Sequence, residues 1–391
     1  MGICLKDVGI VCNIGQSKQA VLKSLIDGNA NALVKDTSLP LTEPQFVGHV
    51  ALNLDDKLKA PSSRHSSRNN QLAYHAFKQI ESSFSELAKN VDKKRIAVII
   101  GTSTSGIAEG ENARKTLAQS EQYPDDFHYQ TQEMIAPAHF IADLCQATGP
   151  VYSISTACSS SAKALVSAKA LIEADIADIV IAGGVDSLAR LTINGFKSLE
   201  SVSNGKCAPF SQGRDGINIG EAAALFVIHS TASGIQLMGF GETSDAYHVS
   251  SPSPDGSGAI SAMELALDMA QIESKQIDYV NLHGTATVKN DEMESLAMHT
   301  VCGNDVFCGS TKGMTGHTLG AAGALEAAIC WLLLSDINSN NEIPANVGYE
   351  QQDSNLPEIN LSQGQKVSSL KYCMSNSFAF GGNNLSLVLG K

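Results

Sequence analysis

A cysteine between a strand-like and a helix-like segment is the first residue of this sequence that could do chemistry. Cys158 lies in STACSSSAKAL, directly after the β-rich run VYSIST and before a stretch of good helix formers. The dipole at a helix N-terminus favours a thiolate over a thiol, so this position predicts a lowered pKa and a nucleophilic sulfur. The small residues around the cysteine leave room for a substrate carbonyl.

The remaining cysteines are interpreted as buried structural residues, which is also the alternative interpretation of Cys158. They are scattered without a CxxC pair, so neither a zinc knuckle nor a thioredoxin-type site is supported. Free thiols in such a chain indicate a reducing compartment, the cytoplasm. These eight residues are Cys4, Cys12, Cys145, Cys207, Cys302, Cys308, Cys330 and Cys373.

Two histidines stand beside small residues at the ends of predicted elements. His283 in LHGTATVKND follows a strand, and the Gly and Thr behind it fit a tight turn that presents the ring. His317 in GSTKGMTGHTLGAAGALEAAI stands at the start of a helix. An isolated histidine is more often a satisfied surface or core residue. Metal ligation is disfavoured because no carboxylate or further histidine stands at ligand spacing. The interpretation as satisfied residues is kept for His49, His65, His75, His128, His139, His229, His248 and His299.

An aromatic residue before two glycines is the fourth candidate. Phe380 lies in SNSFAFGGNN, and the glycines permit an unusual backbone path. Such a loop could lend an N–H group to an oxyanion hole and place a side chain over the nucleophile. An ordinary hairpin turn is the alternative, and spacing alone favours it.

The elements that must position these residues alternate between strands and helices. A strand–helix–strand unit implies parallel pairing in a sheet that is covered on both faces. The candidates stand where strands end, which is where open α/β sheets place ligands. A boundary near residue 235 divides the chain into two similar layered halves, 1–235 and 236–391. Predicted strands cover 95–103, 151–156, 178–186, 277–284, 306–311 and two stretches within 371–390; predicted helices cover 159–175, 291–301 and 319–334.

Composition narrows the class of protein further. The chain has 391 residues, 43% hydrophobic and 17% charged, with a formal net charge of −13. Nucleic-acid and anionic-membrane binders are usually basic, so both are disfavoured. The N-terminal residues lack a signal-peptide pattern, and the apolar run AICWLLL is too short to span a bilayer.

The sequence also lacks GxSxG, GxxxxGK[ST] and a convincing GxGxxG after a strand. Serine hydrolases, P-loop NTPases and nicotinamide dehydrogenases thereby lose support.

Four blocks of sequence in a fixed order resemble one enzyme family. TACSSSA, HGTAT, STKGMTGHTLGAAGALEA and NSFAFGG are similar to the signature blocks of the elongating β-ketoacyl-acyl carrier protein synthases. GTSTSGI, PFSQGRDG and GFGETSDAYHVSSPSPDG agree as well, so the resemblance covers essentially the whole chain. It implies a thiolase-like α/β fold, in which two similar βαβαβαββ-type halves pack as five layers, αβαβα. It also implies a dimer with the active site between the halves.

The resemblance implies a decarboxylative Claisen condensation. Cys158 would carry an acyl chain as a thioester. A malonyl group on the carrier would then lose CO2, and the resulting carbanion would attack that thioester. His283 and His317 can supply Nε–H donors to the malonyl thioester oxygen. In the family, the backbone N–H groups at the positions of Cys158 and Phe380 form the hole for the acyl carbonyl.

The family also assigns supporting roles. It pairs Lys312 with Glu326 beside the active site, which makes Lys312 an electrostatic organiser rather than a Schiff-base lysine. Asp291 and Glu294 match a structural acidic pair after the HGT block. No metal and no organic cofactor are implied, because the phosphopantetheine arm arrives on the acyl carrier protein.

Subclasses of the family differ at these positions. A chain-starting enzyme is expected to carry Asn at the position of His317, a thiolase to bring a second cysteine, and a chain-length subunit to lack Cys158. This chain therefore resembles a competent elongating 3-oxoacyl-[acyl-carrier-protein] synthase of fatty-acid or polyketide/polyene-type biosynthesis. The alternatives are a subunit that shapes chain length in a heterodimer, and a thiolase or acyl hydrolase. Whether the dimer pairs identical or different chains is left open.

Binding of an acidic carrier by this acidic chain requires a local basic patch. Arg64 and Arg68 are four residues apart and share one face if that segment is helical. They fall where the family binds its carrier, and Lys206 is a further candidate. A solvated helix face is the alternative. Arg114 and Lys115 are weaker candidates.

Other positions bear on the substrate and the loop. Thr104 stands near the position that lines the end of the acyl pocket in the family. Ala379 and Asn383 replace the usual Gly and Thr. Because alanine avoids positive φ, Ala379 could stiffen the loop that carries Phe380.

Overall fold

Two sheets of the same design lie face to face with helices between them and on either side. The computed structural model describes residues 2–37, 43–52, 65–348 and 351–391. The strands are β1 (Ile3–Cys12), β2 (Val34–Asp36), β3 (Gln45–Gly48), β4 (Ile96–Gly101), β5 (Val151–Ile154), β6 (Ile179–Asp186), β7 (Ile219–Gly220), β8 (Ala222–Ser230), β9 (Gln236–Ser244), β10 (Tyr279–Asn281), β11 (Phe307–Gly309), β12 (Asn360–Leu361), β13 (Tyr372–Ala379) and β14 (Asn383–Gly390). The α-helices are α1 (Lys18–Ile26), α2 (Arg68–Ala88), α3 (Ile107–Ser120), α4 (Ala136–Cys145), α5 (Ser160–Glu173), α6 (Arg190–Ser198), α7 (Ser257–Ala270), α8 (Val288–Cys302), α9 (Lys312–Thr315) and α10 (Ala322–Leu334).

Strand order shows that the two halves repeat one topology. The first half runs β5-β4-β6-β8-β1 and the second runs β11-β10-β13-β14-β9, with β12 added outside β11. In both halves the first two pairings are parallel and the next two antiparallel. A single pairing of Cys4 with Gln236 joins the two halves.

Alternation along the strands separates the layers. In β4, Ala97 and Ile99 face a central core that they share with α5 and α10. Val98 and Ile100 of the same strand face an outer core with α2 and α4. Helices α7 and α8 cover the outer face of the second half. The order is helix, sheet, helix, sheet, helix, so the predicted five-layered thiolase-like architecture is confirmed.

The central helix α10 is enclosed on every face, and Glu326 is its one charged residue. All thirteen of its residues are buried, including the apolar run AICWLLL. It is a core helix of the kind expected for so short a run. Among the described residues, we find no helix with the length and hydrophobicity that crossing a membrane requires.

Most of the predicted elements are confirmed within a few residues, and two details differ. Residues 319–321 form a 3-10 turn before α10, so the helix begins at Ala322 and His317 lies in the preceding loop. Ala379 has a φ of −101°, an extended value that suits alanine, so the positive φ on which the expectation rested does not occur at this residue. The left-handed values fall on Gly381 and Gly382, at 82° and 77°.

Close contact between β4 and α5 holds the N-terminus of α5 in place. A Cβ on Gly101 would lie 2.4 Å from the backbone nitrogen of Ser161. We therefore predict that Gly101→Ala lowers the free energy of unfolding by about 1–3 kcal/mol through overpacking. Chemical denaturation measures this loss.

Gly195 provides the matched control, because it lies in α6 and a Cβ added there would have nothing within 4 Å. Gly195→Ala is expected to leave stability unchanged or to raise it by about 0.5–1 kcal/mol. Equal effects of the two substitutions would contradict the close contact of β4 with α5.

Candidate active site

Cys158 sits on a tight turn between β5 and α5. The turn places Ala157 at φ 51°, a left-handed value that is uncommon for a residue with a side chain. Hydroxyls of the following serines hold the turn: Ser160 accepts the N–H of Thr156, and Ser159 donates to the carbonyl of Thr156. The serine run after the cysteine therefore builds the turn as well as leaving space. Cys158 itself is buried.

The proton on His317 is placed by a backbone contact. Its Nε2 lies 3.0 Å from Sγ of Cys158. Its Nδ1 accepts the N–H of Leu319 at 3.1 Å. A neutral imidazole that accepts at Nδ1 must carry its proton on Nε2. His317 therefore presents an Nε2–H donor to the site.

His283 is placed in the same way by Lys312. The Lys312 ammonium lies 3.4 Å from Nδ1 of His283 and also donates to the His283 carbonyl. Because an ammonium can only donate, Nδ1 is the acceptor and Nε2 holds the proton. The two imidazole rings meet edge to face at 89°, with centroids 5.4 Å apart.

Burial keeps both imidazoles neutral. It lowers the pKa of His283 and of His317 well below the usual range, because a buried imidazolium loses its hydration. The positive charge of Lys312 acts in the same direction on both rings. The site therefore contains two neutral Nε2–H donors at physiological pH.

Three buried carboxylates support these groups. Glu326 pairs with the Lys312 ammonium. Glu294 accepts the backbone N–H groups of His283 at 2.7 Å and Gly284 at 2.6 Å. Asp291 accepts the backbone N–H groups of two more residues, Phe210 and Ala286. Burial raises the pKa of Glu294 to about 7 and that of Asp291 to about 6.

The expected low pKa of Cys158 is not what the structure supports. Burial raises the pKa of its thiol to about 11, while Lys312 and the backbone N–H of Phe380 act in the opposite direction. The cost of burying a thiolate outweighs these two favourable interactions. Cys158 is therefore a thiol before a substrate binds, and its sulfur is surrounded by groups that would stabilise a negative charge.

Backbone contacts fix the loop that carries Phe380. The N–H of Gly381 donates to the carbonyl of Val249 at 2.8 Å, and the carbonyl of Gly382 accepts the N–H of Asp245 at 2.7 Å. The Phe380 ring packs 5.6 Å from that of Phe196, between centroids. The loop thus brings the Phe380 N–H to the sulfur of Cys158.

A cavity of about 440 Å3 opens onto the three reactive groups. Its volume lies in the range of small-molecule sites and suits an extended ligand. Apolar side chains contribute much of its wall, and several hydroxyl groups line it as well. The lining includes Cys158, His283, His317, Phe196, Leu199, Ile217, Val288, Phe378, Phe380, Thr285, Thr287, Ser250 and Lys289.

The same three groups lie close enough to hold a metal ion, since their ligand atoms are within 4.8 Å of one another. Both rings, however, already use Nδ1 as an acceptor. Coordination through Nε2 would move each proton to Nδ1 and set it against the N–H of Leu319 or the ammonium of Lys312. The arrangement fits hydrogen-bond donation to an oxygen rather than coordination of a cation.

Comparison with known proteins agrees with this geometry. The family model described as "Beta-ketoacyl synthase, N-terminal domain" matches residues 53–233, and "Beta-ketoacyl synthase, C-terminal domain" matches residues 235–349. The chain belongs to the beta-ketoacyl synthase family. It is therefore an acyltransferase of the ketosynthase type.

Two curated relatives of this family carry the same printed name, 3-oxoacyl-[acyl-carrier-protein] synthase 2. The relative from Staphylococcus aureus (strain COL) is 30% identical over 100% of this chain and 98% of its own. The relative from Vibrio cholerae serotype O1 is 33% identical over 75% of each chain.

Solved ketosynthase structures superimpose over the whole chain. A chain of "Ketosynthase (ApeO) in Complex with its Chain Length Factor (ApeC)" from Xenorhabdus doucetiae is 42% identical with a TM-score of 0.91, covering 100% of this chain and 98% of that one. A beta-ketoacyl synthase from Burkholderia phymatum is 25% identical with a TM-score of 0.85, covering 100% and 99%.

The described residues proposed for the acyl pocket and the carrier do not line the cavity that contains the catalytic groups. Thr104 is buried, does not line the cavity, and gives its hydroxyl to Asp186. Arg68 turns its guanidinium inward to Glu221. Lys206 is exposed and donates to the carbonyl of Ala30. Arg64 lies outside the described residues, and Arg114 and Lys115 are exposed on α3.

Sequence reasoning missed three contributors to this ketosynthase site. They are Leu319, whose N–H sets the His317 tautomer, Asn218, whose carbonyl accepts the His317 N–H at 2.7 Å, and Asp186. Two of these act through the backbone, where side-chain type gives no signal. A buried aspartate at the end of β6 was visible in the sequence as the last residue of DIVIAGGVD.

The raised pKa predicts how Cys158 reacts with a small neutral reagent. Below pH 11 the thiolate is the minor form, so the alkylation rate should rise about tenfold per pH unit from pH 7 to 9. Iodoacetamide labelling followed by peptide mass spectrometry measures the rate at Cys158. A free small-molecule thiol, whose rate levels off as it ionises, is the reference. A plateau in the rate at Cys158 below about pH 8 would show that Lys312 and the Phe380 N–H lower the pKa of the thiol more than burial raises it.

Proposed function

We propose that this ketosynthase elongates a Cys158-bound acyl chain by decarboxylative condensation with malonyl-carrier, as a 3-oxoacyl-[acyl-carrier-protein] synthase. The observation that carries the proposal is the meeting of two neutral Nε2–H donors with one thiol in a single cavity. The names of the curated relatives support the same activity.

The first step is transfer of the acyl group. The sulfur of Cys158 forms a bond to the thioester carbon of acyl-carrier, the carbon–sulfur bond to the carrier breaks, and the thiol proton leaves with the carrier thiol. The backbone N–H groups of Cys158 and Phe380 stabilise the oxyanion. The Nε2–H of His317, 3.0 Å from the sulfur, supports the negative charge as it develops there.

The second step is decarboxylation and attack. The bond between the malonyl carboxylate and its carbon breaks, CO2 leaves, and the electron pair moves onto the thioester oxygen. The Nε2–H groups of His283 and His317 stabilise that enolate oxygen, and the neutral rings need no proton transfer to do so. The carbon then attacks the acyl thioester, and Cys158 leaves as a thiolate. Its high pKa ensures that it regains a proton from water at neutral pH.

No metal or bound organic cofactor takes part in this proposed reaction. The reactive thioesters enter on the phosphopantetheine arm of the carrier. The hydroxyls of Thr285 and Thr287, 2.8 Å apart at the cavity wall, are available to hydrogen-bond that arm.

Arg64 and Lys206 remain the proposed basic contacts for the carrier, whereas Arg68 is occupied by Glu221. Charge reversal at Arg64 and Lys206 should raise the KM for carrier-bound substrate and leave iodoacetamide attack on Cys158 unchanged. Reversal of Lys275, exposed and outside the cavity lining, is the control. An unchanged KM would remove these two residues from the carrier contact.

A second ketosynthase-like chain is the proposed subunit partner. Strand β5 lies at one end of the sheet, with β4 as its neighbour in the described part of the chain, and its four residues are half-buried. An edge strand of this kind can pair with another chain. The likeness to a chain of a ketosynthase–chain length factor complex supports pairing with a different chain as well as with a copy. The native mass of the protein, measured alone and after co-expression with a second ketosynthase-like chain, distinguishes a homodimer from a heterodimer. A monomer in both measurements would contradict the proposal.

The central experiment follows intact-protein mass and CO2 release with acyl-carrier and malonyl-carrier. The wild-type protein should form an acyl adduct, release CO2 and give a product two carbons longer. Cys158→Ala should form no adduct and no longer chain. Cys145→Ala, a buried cysteine outside the cavity lining, is the matched control and should behave as wild type.

The outcomes separate the candidate activities. Adduct and elongation without CO2 would favour a thiolase, and adduct followed by free acid would favour a hydrolase. Neither adduct nor CO2 would favour a subunit that shapes chain length in a partner. The acyl lengths that react would distinguish fatty-acid from polyketide or polyene-type synthesis.

A further inference from the structure

A buried aspartate links the two halves of the molecule behind His317. Asp186 is the last residue of β6, and its side chain is fully buried. Its Oδ1 accepts from the hydroxyl of Thr102 at 2.8 Å, from the N–H of Ser103 at 2.8 Å, and from both the N–H and the hydroxyl of Thr104 at 2.7 Å. Its Oδ2 accepts the N–H of Ala321 at 3.1 Å. The carboxylate thus joins the end of β4 to a turn of the other half.

The same turn controls the proton on His317. Leu319, two residues after the histidine, has a left-handed φ of 55° and directs its N–H to Nδ1 of His317. The next residue, Gly320, lies against the carboxylate: a Cβ there would be 2.7 Å from Oγ of Ser103 and 2.8 Å from Oδ2 of Asp186. The left-handed residue therefore sits in a turn that Asp186 anchors by both a hydrogen bond and close packing.

We propose that Asp186 is a positioning residue for decarboxylation. By anchoring the 319–321 turn, it keeps the Leu319 N–H on Nδ1 of His317 and thereby keeps the His317 proton on Nε2. It acts through the turn and touches no reacting atom. The inference rests on the proposed function, since it assigns a cause to the donor that stabilises the enolate.

The arrangement requires a carboxylate because both of its oxygens must accept. All five donors around Asp186 are neutral N–H or O–H groups. An asparagine has one accepting oxygen. If that oxygen takes the place of Oδ1, it retains the four contacts at the end of β4 and turns its NH2 toward the Ala321 N–H. Asp186→Asn therefore releases the turn selectively, with little change in side-chain volume.

The test measures acyl transfer to Cys158 and decarboxylation of malonyl-carrier separately. Asp186→Asn should lower decarboxylation by roughly tenfold or more, because one of two enolate donors is lost or misdirected. Acyl transfer should fall by a smaller factor than decarboxylation, since its oxyanion donors are the backbone N–H groups of Cys158 and Phe380 and only the contact of His317 with the sulfur is affected. A defect in general folding would lower both rates together.

Two further variants sharpen the test. Gly320→Ala adds a Cβ that displaces the same turn, so it should also lower decarboxylation more than acyl transfer. The double variant Asp186→Asn/Gly320→Ala should decarboxylate at about the rate of the slower single variant. Thr102→Val removes one donor to Oδ1 and leaves the Ala321 contact intact. It should lower Tm while leaving the ratio of the two rates as in wild type.

The tautomer of His317 gives a readout that does not depend on activity. In 15N spectra of histidine-labelled protein, Asp186→Asn should move the proton of His317 partly from Nε2 to Nδ1, and Thr102→Val should not. A wild-type protein without decarboxylation would overturn the proposed function, and these spectra would still decide the role of Asp186. Equal loss of both rates, or an unchanged tautomer, would overturn the positioning role alone. If Asp186→Asn does not fold, Gly320→Ala carries the same two readouts.

Discussion

The placement of two imidazole protons is the constraint on which the rest of this site depends. Each ring accepts at Nδ1, His317 from a backbone N–H and His283 from the Lys312 ammonium, so each must donate from Nε2. Donation to a developing enolate requires that orientation and requires it before the substrate arrives. Three features hold the two rings in that orientation: the turn after His317, the Lys312–Glu326 pair, and the hydrogen bonds that Glu294 accepts from the backbone of His283. They draw on several elements of the second half and on the end of β6 in the first.

Burial is the largest cause of the pKa shifts at Cys158, His283 and His317. It keeps the imidazoles neutral, which suits donors that need no proton transfer, and it also keeps Cys158 protonated, which does not suit a nucleophile. Lys312 acts on all three groups: its charge favours the thiolate and disfavours both imidazolium ions. A single buried cation thus favours the neutral form of both imidazoles and the thiolate form of Cys158. Its own charge is balanced by the buried carboxylate of Glu326.

Much of the fold and the identity of the reactive residues could be predicted from sequence, because the signals were local. The alternation of strands and helices predicted β4, β5, α5 and β6 within a few residues, and the five-layered architecture followed from the family resemblance. Cys158, His283 and His317 were found through their small neighbours and ordered blocks. What could not be predicted depended on contacts distant in sequence. The pKa of Cys158 is set by total burial, the hydroxyl of Thr104 is held by Asp186, and Arg68 is held by Glu221, 153 residues away.

The pH dependence of CO2 release from malonyl-carrier by Cys158→Ala protein tests the central claim most directly, because this variant removes the titrating thiol and keeps both imidazoles. Neutral Nε2–H donors predict a rate that does not fall from about pH 6 to 8, since neither ring changes its charge in that range and ionisation of Glu294, whose pKa is about 7, strengthens the hydrogen bonds that hold His283. A rate that falls about tenfold per unit above pH 6.5 would show that an imidazolium is required. That result would contradict the account of two neutral donors fixed by Leu319 and Lys312.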